Sequence, residues 1–185
     1  MKQNLMNQTL KSLCIVVCGL QLFSLNAFAE PGCACDFDAN SQYLQARKYE
    51  FGEGGSENPV QAIALYRKAA DQGHAAAQYS LGRMYAAGSG VGQDYAEALR
   101  WFQKAAAQNY ALAQNRIGVM YERGEGVAKD PVEAYKWYFL ASRQNENIFA
   151  VANCEILSRR MTSDQIAEGQ KRATAKREVT IANSE

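Results

Sequence analysis

The 185-residue chain carries 20 Lys plus Arg against 19 Asp plus Glu, a formal net charge of +1, with five Cys and a single His. That balance offers no basic stripe for a nucleic-acid partner. The length suits one domain with a continuous core rather than two.

Residues 1–29 read as a secretory signal peptide: Lys2 and Lys11 flank a polar start, an apolar run follows around Leu13 to Leu25, and Ala27, Phe28 and Ala29 end it with a small-residue cleavage site. Gly19, Gln21, Ser24 and Asn26 interrupt the run, which is short for the ~20 residues of a membrane span. An uncleaved anchor is therefore the weaker reading, and no Cys directly follows a small-residue cleavage motif to take a lipid. Cleavage after Ala29 predicts a periplasmic protein of bacterial type, or a secreted one, with no stable membrane insertion afterwards. The 156 residues from Glu30 keep 18 Lys plus Arg and 19 Asp plus Glu, because only Lys2 and Lys11 are lost.

Residues 30–40 form an N-terminal lead containing Cys33 and Cys35; the third cysteine of the mature chain is Cys154. An oxidising compartment permits a disulfide. Cys33 with Cys154 and Cys35 with Cys154 stand equal, a direct Cys33 to Cys35 link closes a very small strained ring, and the odd count leaves one thiol over. Three thiols with His74 far away lack zinc spacing, and Cys-Ala-Cys is not Cys-x-x-Cys. No metal and no cofactor are expected.

From residue 41 to 145 the chain repeats every 36 residues, in copies of about 41–73, 74–109 and 110–145. Leu81, Gly82, Met84, Tyr85, Gly88, Asp94, Ala98, Trp101, Phe102 and Ala105 recur as Ile117, Gly118, Met120, Tyr121, Gly124, Asp130, Ala134, Trp137, Tyr138 and Ala141. A weaker first copy has Tyr49, Gly52, Asn58, Ala62, Leu65, Tyr66 and Ala69. Tandem units of this length stack into an all-α fold, an α/α superhelical solenoid of helical hairpins.

Within each copy a first helix runs to a glycine-rich turn, where Gly88 and Gly124 suit the left-handed C′ position. The second helix starts at a capping box: Asn58 with Gln61, Asp94 with Glu97, Asp130 with Glu133. Pro59 and Pro131 take the first helical position. The glycine turns lack the preceding strand and following Lys-Ser/Thr of a phosphate cradle. Gly82 and Gly118 lie inside first helices, at a cost of ~1 kcal/mol each relative to alanine, which predicts close backbone crossings; Ala46 holds that place in copy one. Of the pairs Trp101 with Phe102 and Trp137 with Tyr138, at least one member is core and the other is a candidate for exposure. Residues 146–180 read as capping helices, Ile148 to Arg160 and then a charged helix from the Thr162 and Gln165 cap to about Arg177.

The segments AQYSLGRMYAAGSGVGQDYAEALRWFQKAAAQN and AQNRIGVMYERGEGVAKDPVEAYKWYFLASRQN resemble Sel1-like repeats, a tetratricopeptide-related class with a longer glycine-rich turn. The resemblance covers residues 41 to 145, and the ending RMTSDQIAEGQKRA is similar to the terminal helix that often follows such arrays. It implies an adaptor or scaffold that engages another protein, an envelope component or a secreted toxin. Some secreted relatives carry disulfides within each hairpin and are linked to penicillin binding, a pattern that these cysteine-free hairpins lack. Others resemble immunity proteins that neutralise a phospholipase or similar interbacterial toxin, which is the alternative reading.

Catalysis has little support. His74, the only histidine, sits between helices where the next copy has Tyr110, and Ser80 has no strained nucleophile turn; a hydrolase is the least favoured reading, and no enzyme is expected. Stacked hairpins instead present a concave face lined mainly by first helices. With Leu81, Met84 and Tyr85 turned inward, the expected partner-binding residues are Gln42, Gln45, Gln78, Tyr79, Arg83, Gln114, Asn115 and Arg123.

Overall fold

The computed structural model describes residues 38–53, 55–144 and 147–182. These fold into α1 (Ala39–Phe51), α2 (Pro59–Asp71), α3 (Ala75–Ala87), α4 (Tyr95–Ala107), α5 (Ala111–Arg123), α6 (Pro131–Ser142), α7 (Ile148–Ser158) and α8 (Ser163–Ala182). Successive helices pack on one another from α1 to α7, so the architecture is an all-α solenoid of repeated helical hairpins. Residues 1–29, expected to be a signal peptide, and Cys33 and Cys35 lie outside the described residues.

Each hairpin closes through the same set of bonds. Gly52, Gly88 and Gly124 end the first helices in the left-handed region, at φ +65°, +72° and +78°, and each donates its N–H back into the last turn. The second helices begin at Asn58, Asp94 and Asp130, whose side-chain oxygens accept from the backbone N–H of Gln61, Glu97 and Glu133 at 3.1, 2.9 and 3.0 Å. The return half of the expected capping boxes is replaced. The N–H of Asn58, Asp94 and Asp130 donates instead to the carbonyls of Tyr49, Tyr85 and Tyr121 at 2.8, 2.9 and 3.1 Å, fastening the second helix to the first. With that donor already satisfied, Glu97 and Glu133 accept the indole N–H of Trp101 and Trp137, one turn on, at 2.9 and 3.0 Å.

The helices of a hairpin meet closely at the internal glycines. A Cβ built on Gly82 would stand 2.7 Å from the Phe102 ring, and one on Gly118 2.6 Å from the Tyr138 ring, so both positions have room for hydrogen only. Both aromatics of each pair are buried, Trp101 and Trp137 as well as Phe102 and Tyr138. This removes the expected exposed member: the carboxylate of Glu97 or Glu133 satisfies the indole donor, so the ring can enter the core without an unpaired polar atom.

The C-terminal end departs from the repeat. α7 stacks on α6 as a first helix would, but α8 also packs on α6 rather than pairing with α7. A Cβ on Gly169 would lie 2.7 Å from the Tyr135 ring, and Arg172 reaches Asp130 and Glu133, each at 3.6 Å. Cys154 turns inward beside the cluster of Tyr135 and Leu157, and burial pushes its thiol pKa up.

Candidate partner-binding face

Three of the expected contact residues are internal. Gln42, Gln78 and Gln114 are 7%, 5% and 3% exposed. Their carbonyl oxygens accept from Gln72, Gln108 and Gln144 at 2.9, 2.8 and 2.9 Å, one bond per repeat. Gln78 also donates to the Ala70 carbonyl at 3.0 Å, and Gln114 to the Ala106 carbonyl at 3.4 Å. A buried amide needs such partners, and here they join the end of each second helix to a first helix. This burial takes all three glutamines off the open surface.

The other expected residues divide. Tyr79 is half-buried with its ring against Phe102 and Tyr110, at 5.7 and 5.5 Å between centroids. Asn115 accepts from Asn153 of α7 at 3.0 Å. Gln45 is exposed at the place where Leu81 and Ile117 are core; among the described residues no helix packs ahead of α1 to cover it. Arg83 is 43% exposed and Arg123 66%, Arg83 paired with Glu50 and Arg123 with Glu125.

Aligning the caps Asp38, His74, Tyr110 and Asn147 brings out an open stripe on the first helices and α7. One row is Asn40, Ala76, Leu112 and Phe149; a second, two turns on, is Arg47, Arg83, Val119 and Ile156; a third is Phe51, Ala87 and Arg123, with Arg160 in the turn that follows α7. Nearly all of these are exposed, and Ala76 and Val119 are partly so. Their chemistry differs from repeat to repeat while the core positions beneath them recur.

Two carboxylate clusters edge this stripe. Tyr66 donates to Glu50 at 2.5 Å, and Glu50 also binds Arg83. Tyr138 donates to Glu122 at 2.9 Å, and Glu122 also binds Arg160. Burial, with the adjacent carboxylate second, holds both tyrosine hydroxyls far above their usual pKa. Each arginine thus leans on a buried framework while keeping exposed surface.

The residues weighed for catalysis have structural partners. His74 caps α3 by accepting the N–H of Ala77 on Nδ1 at 3.2 Å, and its ring stacks on Tyr43 at 4.7 Å. Ser80 is buried. Among the described residues, no group of three or more His, Cys, Asp and Glu could hold a metal ion, and no helix is long and apolar enough to cross a membrane.

The Sel1 repeat model matches residues 39–74, 75–110 and 111–146. The chain is similar to a Sel1 repeat protein from Oxalobacter formigenes, with 36% identity and a TM-score of 0.60 over 64% of this chain and 48% of that one. It is also similar to c5321, a protective antigen of uropathogenic Escherichia coli strains displaying an SLR fold, with 30% identity and a TM-score of 0.57 over 73% of this chain and 37% of that one. The chain therefore spans less than half the length of either solved structure. No curated protein matches it. Three consecutive matches, on the same three hairpins that the repeated bonds close, place this chain in the Sel1 repeat family.

Proposed function

We propose that this chain is an exported protein-binding scaffold that works in the periplasm, engaging its partner through the exposed stripe of α1, α3, α5 and α7. The general role of a protein-interaction scaffold belongs to its repeat class. The finer reading is supported by one observation: side chains that build hairpins recur, whereas those on the open stripe change from Arg47 and Arg83 to Val119 and Ile156. A surface with few packing duties is where specificity for a partner resides.

The leader of residues 1–29 supports export. Affinity capture with residues 30–185 from periplasm and from culture supernatant, followed by an activity assay on any captured enzyme, tests the reading. Envelope proteins recovered with their activity intact support a scaffold. A single secreted lipase inhibited at one-to-one ratio replaces it with an immunity role.

A further inference from the structure

Four of the eight large exposed apolar side chains among the described residues lie on the 11-residue helix α7: Ile148 at 73%, Phe149 at 67%, Val151 at 42% and Ile156 at 56%. For Val151 the cause is the departure of α8. In a complete repeat a second helix would cover the side of α7 that Val151 and Glu155 occupy, corresponding to buried Gln114 and Gly118 of α5, but α8 packs on α6. Phe149 and Ile156 sit elsewhere on α7, in the open rows beside Leu112 and Val119. α7 is held alongside α5 by bonds from Asn147 to the Ala111 carbonyl at 3.2 Å and from Asn153 to Asn115 at 3.0 Å. In the middle row the stripe therefore changes from Arg47 and Arg83 on α1 and α3 to Val119 and Ile156 on α5 and α7.

Within each of these two helices the apolar positions are seven residues apart, about 10.5 Å at 1.5 Å per residue. That is the separation of anchors at i and i+7 on a helix laid along them. One turn beyond on α5 stands Arg123, and in the turn after α7 stands Arg160, 66% and 60% exposed. Arg123 and Arg116 share Glu125 at 3.5 and 3.7 Å, and one covered oxygen of that carboxylate has no hydrogen bond. This end already receives a carboxylate, and receives it loosely.

We infer that the α5 and α7 face binds an amphipathic helix of another protein, with apolar side chains at i, i+3 or i+4, and i+7 on Leu112, Val119, Phe149 and Ile156, and with carboxylates in the adjoining turn toward Arg123. The inference rests on the protein-binding reading above and names the partner's chemistry. A second copy of this chain is a poorer occupant. Its open α1 end offers Leu44 and Phe51, at 47% and 52% exposed, beside Arg47 and Lys48, the same sign of charge as Arg159 and Arg160.

The test is selection of a random-peptide display library on immobilised residues 30–185, followed by titration of one synthetic selected peptide against the parent chain, Phe149→Asp, Ile156→Asp, Arg123→Glu and Arg47→Glu. Circular dichroism melts confirm that each variant is folded. The expected peptide is acidic, becomes helical on binding, weakens tenfold or more with Phe149→Asp or Ile156→Asp and severalfold with Arg123→Glu, and changes less than twofold with Arg47→Glu. A peptide that depends on Arg47 and ignores Phe149 overturns this inference and leaves the protein-binding reading standing. No selected peptide, or one indifferent to every substitution, counts against both. Sedimentation with phosphatidylglycerol vesicles, or concentration-dependent dimerisation, that is lost in Phe149→Asp overturns the inference in favour of a lipid surface or a second copy.

Discussion

Tyr66 donates its hydroxyl to Glu50, and 72 residues on Tyr138 donates to Glu122, whereas the middle repeat has Phe102 and Ala86 at these two positions. The hydroxyl occurs only where a carboxylate faces it, so the pair behaves as one unit. Tyr66→Phe should cost about 1.5–3 kcal/mol, the range for a hydrogen bond to a charged group. Adding Glu50→Ala, which copies the middle repeat, should cost less than the sum of the two single changes in a double-mutant cycle read by urea unfolding. Simple additivity would show the two residues to be uncoupled.

Alkaline pH should weaken the fold through the same tyrosines. Their folded pKa values are raised, by burial first and then by Glu50 or Glu122, above the value of about 10 expected in the unfolded chain. Stability from this source is complete below about pH 10 and falls as the pH climbs from there toward the folded value, because the unfolded chain ionises first. The stability deficit of Tyr66→Phe relative to the parent should therefore shrink above about pH 10. Urea titrations at a series of pH values check this; a deficit that stays constant contradicts it.

Gly82→Ala tests the close crossing of α3 and α4. The added methyl gains ~1 kcal/mol of helix propensity but meets the Phe102 ring at 2.7 Å. Overpacking of this kind costs about 1–3 kcal/mol, so the expected net result is destabilisation. Combining it with Phe102→Leu should recover part of the loss, as measured by thermal unfolding.

The glutamines separate structural from surface roles. Gln78→Ala removes both bonds of a buried amide, to the Ala70 carbonyl and from Gln108, with an expected loss of about 1–3 kcal/mol at about 0.5–1.5 kcal/mol per bond. Gln45→Ala, on an exposed side chain of the same residue type, should stay within about 0.5 kcal/mol of the parent. Equal effects would refute the assignment of Gln78 to the interior.

Much of the fold was legible because capping, glycine termination and aromatic spacing are local and repeat. The open stripe was less legible, for a reason that can be named. Gln78 lies three residues before Leu81 and seven before Tyr85, which puts it on the same helical stripe as the core, yet its polarity favours a surface reading. Only the carbonyl of Ala70 and the amide of Gln108, brought in from other helices, make its burial tolerable. Arg83 and Arg123 have the exposure that charge and helical phase predict. Phe149 and Ile156 were missed because apolar residues on a helix are ordinarily core, whereas both fall in rows that the stacked hairpins leave open on the first helices as well, a tertiary outcome that no local pattern in α7 reveals.

Quantitative capture from periplasmic extract with three folded forms of residues 30–185 bears most directly on the scaffold reading. One is the parent, one carries Arg47→Asp, Arg83→Asp, Val119→Asp and Ile156→Asp on the open stripe, and one carries Arg100→Asp, Gln103→Asp and Lys104→Asp on the exposed side of α4. The scaffold reading predicts partners that are captured by the parent and the α4 variant and lost from the stripe variant. Equal capture by all three, or loss only from the α4 variant, would contradict it.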